Sequence, residues 1–499
     1  MSTPYDTFPY RALPVPEAHV DRLHVVAHLF GMAPAPLERC RVLELGCADG
    51  GHLVPMAEAL PASEFVGVDL SARQIADGQA WTAPLGRSNL RLLHGDATDL
   101  PDGLGTFDYV ICHGLYSWIP AAHRPGLLRS LRTHLRPQGV AYLSYNTLPG
   151  GSTRRQIRDF VLQHAAETGP PSERVDAARA MLQFLHDGAN PDTPHGQHLR
   201  DQCASLLGTS PQYLLHGLLA DVNDAFYLRD VVAAAGGAGL AYLGDVQLER
   251  MLGTDLHAGG RQKLNSVPGD QVDREQVLDF LAHQAFRQSL LVPAGTALER
   301  TVPWSRVTPL WLSARARCTR GHPTDDGEAR FDTSAGAITS DDPVWKVGLA
   351  VLGALWPSQL SFRAWTSAVA GALGRDEATV TQALGRRVLP MFAAGVLDLS
   401  PRDRRIAAVV PQQPEATPWA RQQVALGHPV TDLAHGIRRL PTPLAALLTL
   451  CDGTRSHAEL LATARAQPAV ATVGDVAAWL PGALESLRIR ALLLAPESR

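Results

Sequence analysis

From Arg41 onward the chain alternates short β-rich runs with helical stretches, and this alternation restricts its possible folds more than any other feature. The runs are RVLELGC (41–47), EFVGVDLS (64–71), LRLLHGDA (90–97), FDYVICHG (107–114) and GVAYLSYN (139–146), with helical text such as GHLVPMAEAL and PGLLRSLRTHL between them. Apolar runs separated by helices at regular spacing indicate a parallel, doubly wound α/β sheet covered on both faces. Such sheets bind ligands beyond the carboxyl ends of their strands. The residues that follow each strand are therefore the candidates for chemistry.

The first strand runs into Glu44-Leu45-Gly46-Cys47-Ala48-Asp49-Gly50-Gly51, an E-x-G-x-x-x-G pattern whose small residues let the turn approach a ligand closely. The second ends at Asp69, where a carboxylate can accept both hydroxyls of a ribose. The third ends in Gly95-Asp96-Ala97, a further carboxylate at the same edge. A dinucleotide-binding turn expects G-x-G-x-x-G, and Ala48 occupies the place of its second glycine.

With these motifs the chain resembles the class I S-adenosylmethionine (SAM)-dependent methyltransferases, and FDYVICHG fits that family's fourth motif. Ala48 is a mild departure from the family's alternating glycines. The resemblance implies SAM as cofactor, contacted by Glu44, Gly46, Cys47, Ala48, Gly50, Asp69, Leu70, Gln74, Asp96, Ala97 and His113. In that assignment Glu44 orients the turn and the amino-acid part of SAM, Asp69 holds the ribose, Asp96 and Ala97 read the adenine, and His113 lies beside the methionine end. The phrases YDTFPY, CRVLELGCADGGHLVPMA, FVGVDLSARQI, HGLYSWIP and GVAYLSYNTLPGG are similar to the bacterial methyltransferases that carry a regulatory domain. That group includes protein-lysine methyltransferases acting on outer-membrane proteins. The likeness is strong over residues 1–150, moderate over 210–300 and weak beyond.

The expected architecture is a Rossmann-like, seven-stranded core with a helical insertion, followed by two small winged-helix-like α+β modules. Residues 1–149 form the SAM-binding core and 150–220 read as helical, a lid or a dimerisation element. Residues 221–295 complete the sheet through AFYLRDVVAAAGGAGLAYLGDV and FRQSLLVP. The stretch 296–342 reads as linker and exposed loop, 343–401 as the first module, 402–440 as a surface linker and 441–499 as the second module. The two modules look duplicated, because LGALWPSQLSFRAW and LLTLCDGTRSHAEL align at an offset that also pairs VLDLSP with ALLLAP.

Composition narrows the partners. With 45 Lys+Arg against 49 Asp+Glu the net charge is −4, and the helices of the modules carry few basic residues, so nucleic acid is not an expected partner. Only Lys263 and Lys346 are lysines, a scarcity that a base-composition bias would produce and that would also leave a lysine methyltransferase few residues of its own to modify. Six scattered cysteines without a CxxC pair read as reduced thiols, no zinc-ligand cluster is expected, and the start of the chain lacks the pattern of a secretory leader. The expectation is a cytoplasmic protein without membrane insertion, with a polypeptide as substrate partner and a second copy as a candidate one.

Methyl transfer asks an enzyme mainly for alignment and exclusion of water, and a lysine acceptor must arrive uncharged. Aromatic residues near the carboxyl edge suit that task, and Tyr10, Tyr116 and Tyr145 are the candidates for positioning the acceptor. The function expected is N-methylation of lysine side chains in a protein. A small-molecule or peptide-natural-product methyltransferase and a SAM-binding scaffold without turnover are the alternatives.

Overall fold

A computed structural model describes residues 4–164, 169–254 and 256–496. Its centre is an eight-stranded sheet built from β1 (Arg41–Leu45), β2 (Glu64–Asp69), β3 (Leu90–His94), β4 (Phe107–Cys112), β5 (Leu135–Thr147), β6 (Ala225–Phe226), β7 (Leu240–Asp245) and β8 (Phe286–Pro293). The order is β3-β2-β1-β4-β5-β8-β7, with the two-residue β6 pairing on the end of β5. Strands β1 to β5 run parallel, and β8 lies antiparallel between β5 and β7. This is the seven-stranded class I methyltransferase sheet with one short added strand.

Period-2 side-chain alternation divides the sheet into two buried faces. Val42, Phe65, Tyr109 and Ile111 pack on one face with the helix Val20–Leu29, while Leu43, Val66, Val110 and Cys112 pack on the other with Arg124–Thr133. In register, Glu44 lies level with Gly67 on β2 and Ile111 on β4. The carboxyl ends of β1, β2 and β4 therefore form one continuous edge.

Between β5 and β6 the chain forms helices Gly151–His164, Pro171–Gly188 and Pro194–Leu207, then a single π-helical turn Leu214–Leu218. These carry a small core of their own, including Ile157, Ala178, Leu182, Cys203 and Leu214.

The C-terminal half holds two helical units with short strands. In the first, helices Pro343–Leu355, Phe362–Leu373 and Glu377–Ala393 pack on a small sheet in which Trp311–Ser313 pairs with Leu360–Ser361 and with Asp398–Ser400. In the second, Thr442–Leu450, His457–Arg465 and Val476–Ile489 share one core, beside a two-residue antiparallel pairing of Val430–Thr431 with Ile437–Arg438 and isolated bridges Ile406–Leu494 and Glu415–Asp452. Ser361 and Ser456, equivalent positions in the duplicated text, each cap a helix by accepting from the amide three residues on. Both stretches read as linkers are more ordered than that. Residues 316–340 form a three-stranded antiparallel sheet that buries Phe331, and residues 402–440 contribute Ala407, Ala416 and Ala420 to the second unit's core. Their Gly, Pro and Asp content obscures a period-2 pattern in ARFDT (329–333) and the short helix Pro418–Ala425.

Candidate cofactor site

The turn after β1 is shaped by close contacts to β2. The amides of Gly46 and Cys47 both donate to the Val68 carbonyl, at 2.9 and 3.2 Å. Gly46 and Gly50 take φ of 77°, the left-handed region that favours glycine, and Ala48 takes φ 50° without being glycine. Two further glycines allow the turn to sit where it does. A Cβ on Gly67 of β2 would lie 2.7 Å from Cys47 Sγ, and one on Gly78 would lie 2.3 Å from the Asp49 carbonyl oxygen.

Asp69 ties this turn to the next helix. Its Oδ2 accepts from the Ala48 amide and its Oδ1 from the Ser71 amide, both at 2.8 Å. Burial raises its pKa, while the two amides oppose that rise. Each carboxylate oxygen keeps a lone pair for a further donor. Glu44 is buried, its Oε2 has no hydrogen-bond partner, and burial together with Asp69 and Asp49 pushes its pKa well above the usual carboxylate range. An unpartnered carboxyl in such a place is costly unless a donor or cation completes it. The ammonium group of a bound amino-acid moiety has the required chemistry, so the residues fit SAM.

Around this centre the expected contacts divide. Leu70 is exposed at the edge, and Asp96, beside Ala97, uses Oδ1 to hold the Thr98 amide and hydroxyl, with no bond to Oδ2 among the described residues. His113 Nδ1 lies 3.0 Å from the Tyr142 hydroxyl, which also accepts from the Gln288 side chain at 2.9 Å. Burial pushes the His113 pKa down to about 4, so the ring is neutral at ordinary pH. The Cys47 side chain packs into the core beneath the turn. Gln74 is buried, and its side-chain amide is engaged by the Tyr10 carbonyl.

The three aromatic candidates also separate. Tyr145 points into the sheet core, where its hydroxyl meets Ser289 Oγ at 2.9 Å, so it does not line the carboxyl edge as expected. The cause is strand alternation: the rings of Tyr142 and Tyr145 fall on opposite faces, and Tyr142 is the one that reaches His113. Tyr116 is buried against Phe226 and Tyr145, with ring centroids at 5.1 and 6.2 Å. Tyr10 is partly exposed, its ring edge-on to His216 at 6.3 Å.

The N-terminal arm crosses the mouth of this site. Tyr5 stacks on His216 at 4.3 Å, and His216 Nε2 lies 2.5 Å from the Phe8 carbonyl. Asp6 accepts from Ser71 Oγ at 2.6 Å, and the Arg11 guanidinium lies over the Trp81 ring at 5.1 Å. The Ala12 amide donates to Asp49 Oδ1 at 3.1 Å and the Val15 amide to His52 Nδ1 at 3.2 Å. Burial and the nearby Asp69 raise the Tyr5 pKa to about 12, and burial raises that of Asp49 to about 7. His216, carried by the π-helical turn, is a contact that sequence reasoning missed, because no motif marks it. Among the described residues no group of His, Cys, Asp and Glu is arranged to hold a metal ion, and no helix is long and apolar enough to cross a membrane.

Comparison with known proteins bears on the family and the fold. Residues 42–139 match a methyltransferase domain family and residues 210–293 match a predicted methyltransferase regulatory domain. The uncharacterized protein RP789 of Rickettsia prowazekii (strain Madrid E) is 35% identical over 300 residues, covering 60% of this chain and 54% of that protein. RP028 of the same organism is 32% identical over 232 residues, covering 46% of this chain and 93% of RP028. The chain thus spans about half the length of the first relative and nearly all of the second. The structure of PKMT2 from Rickettsia typhi superposes with a TM-score of 0.87, at 24% identity, over 97% of this chain and 100% of that one. PKMT2 has also been solved in complex with S-adenosylhomocysteine (AdoHcy), and that structure superposes with a TM-score of 0.88. The chain belongs to the class I SAM-dependent methyltransferases that carry a methyltransferase regulatory domain.

Proposed function

We propose that the protein is a SAM-dependent methyltransferase that N-methylates lysine side chains of a protein substrate in the cytoplasm. The observation that carries the cofactor part is the edge formed by Glu44, the turn from Gly46 to Gly50, and Asp69, with the buried Glu44 Oε2 lacking a partner. When bound, SAM supplies a methyl group on a sulfonium for a nitrogen lone pair to take.

The chain's own residues have three tasks. Asp69 and Asp96 orient the nucleoside part, and Glu44 completes the amino-acid part. The arm, from Tyr5 to Val15, excludes water from the mouth, which favours the uncharged form of an incoming amine with an ordinary pKa of about 10.4. Neutral His113, with Nδ1 facing the Tyr142 hydroxyl, is a weak base at ordinary pH, which supports an amine acceptor over a hydroxyl that must be deprotonated in place. Tyr10 at the rim is the remaining aromatic candidate for aligning the acceptor. Resemblance to the lysine-methylating members of the group and the full-length likeness to a structure named PKMT2 support a polypeptide substrate. The insertion serves as a lid, held to the arm by His216, and with the C-terminal units it borders a groove for the substrate chain.

The test is to incubate the purified protein with methyl-labelled SAM and bacterial lysate and to divide the label between macromolecules and small solutes. Label in protein that is recovered as methyllysine is expected. Label confined to solutes would point to a small-molecule acceptor, and absence of transfer to a binding protein without turnover.

A further inference from the structure

The C-terminal half reaches the cofactor turn through three buried histidines from three parts of the chain. His52 follows the glycine turn directly, His19 caps the helix Val20–Leu29, and His435 comes from the second C-terminal unit. His435 Nε2 lies 2.9 Å from His52 Nδ1, and the His19 and His52 rings each lie 4.7 Å from the His435 ring.

The hydrogen bonds define the protonation pattern. His52 Nδ1 accepts from the Val15 amide, so it carries no proton and His435 Nε2–H must be the second donor to it. His19 Nδ1 likewise accepts from the Asp21 amide at 3.0 Å. The His19 and His52 rings are therefore neutral, and burial with those two rings beside it holds the His435 pKa well below its ordinary value.

His435 is presented by an unusual loop. Its backbone is left-handed, with φ of 65°, and Asp432 Oδ1 accepts from the amides of Ala434 and Gly436 at 2.9 and 2.7 Å. A non-glycine residue in that region is uncommon and is retained where the surroundings determine it. The same unit touches the cofactor domain twice more, where the Trp419 amide donates to Glu58 Oε1 at 3.1 Å and where His428 meets the Trp81 ring edge-on at 5.2 Å. Beside the cluster, Asp21 receives Arg402 and Arg404 at 3.0 and 2.8 Å, fixing the segment that leads into the second unit.

We propose that the second C-terminal unit is part of the cofactor site, with His435 as a positioning residue that holds His52 and, through it, the glycine turn and the N-terminal arm in their cofactor-binding arrangement. The proposal rests on the assignment of the SAM site and is independent of the methyl acceptor.

The test measures AdoHcy affinity by calorimetry for the full chain as wild type, H435F and H435Q. Phe keeps a ring without an N–H, whereas the Gln amide can still donate to His52. H435F is expected to bind AdoHcy roughly five-fold more weakly, the loss of one ordinary hydrogen bond, while H435Q stays within about two-fold of wild type. Equal affinities in all three proteins, or equal weakening in both variants, would overturn the proposal. Should H435F not fold, hydrogen exchange over residues 46–54 is read in H435N, whose side chain stops short of His52. Faster exchange there than in wild type is expected, and unchanged exchange overturns the proposal. A wild type that fails to bind AdoHcy overturns it together with the cofactor assignment.

Discussion

Replacing Gly51 by alanine should release the arm from the cofactor site. A Cβ at Gly51 would lie 2.3 Å from the Ala12 carbonyl oxygen and 3.2 Å from its carbon, a backbone contact that no rotamer change can relieve. Restoring ordinary contact requires the arm to move by about 1 Å, since carbon atoms pack at about 3.5–4.0 Å. That movement breaks the 3.1 Å bond from the Ala12 amide to Asp49, a carboxyl already held at a raised pKa of about 7 by its burial. A bond of this kind contributes about 1–2 kcal/mol, so the open arm should become about 5- to 30-fold more populated. Trypsin reads that population at Arg11, an exposed residue on backbone clamped between Gln74 and Asp49. When opening is fast relative to cleavage, the rate follows the open fraction. Cleavage after Arg11 should accelerate by that factor, with AdoHcy slowing it again. Wild-type cleavage in a G51A protein of unchanged melting temperature would refute the account of the arm as a clasp.

Three further outcomes follow from the same contacts. D21N removes the buried charge shared by Arg402 and Arg404 and should lower stability by about 3–5 kcal/mol in denaturant unfolding, with a smaller loss counting against a buried network there. Y145F removes only the bond to Ser289, so it should cost about 1 kcal/mol of stability and leave AdoHcy affinity unchanged; a large affinity loss would return Tyr145 to the site. Acidification should destabilise the fold through His19, which burial holds at about 4 against the partial opposition of Asp21 and with Arg402 and Arg404 nearby. The unfolded chain takes up that proton first, so stability is full above about pH 6.5 and declines by up to about 3 kcal/mol as the pH falls to 4. A flat thermal-melting profile over that window would show that His19 is not buried uncharged.

The parallel sheet was readable because each strand is an apolar run with a period the helices do not share, and because Glu44, Asp69 and Asp96 stand where strands end. Strand alternation also explains the error at Tyr145. Its place near the end of the run 139–146 suggests the edge, but β5, Leu135–Thr147, is paired along that stretch and alternation turns the Tyr145 ring into the core. The glycines that permit close approach, Gly67 and Gly78, are invisible as motifs because their partners, Cys47 and Asp49, come from another segment. The histidine cluster was beyond reach for the same reason: His52 and His435 are 383 positions apart and meet only in the folded chain. Of the two lysines, Lys346 is buried and donates to the carbonyls of Asp325 and Gly327 at 2.6 Å, while Lys263 is exposed. A protein that methylates lysine would thus present a single accessible lysine of its own among the described residues.

The central claim is that the carboxyl edge around Glu44, the glycine turn and Asp69 holds SAM, and calorimetric titration of AdoHcy into wild type and D69A tests it most directly. One site per chain is expected in the wild type and an affinity about 5- to 150-fold lower in D69A, the loss of charge-assisted hydrogen bonds of about 1–3 kcal/mol. Undiminished binding by a folded D69A protein, or no binding by the wild type, would contradict it.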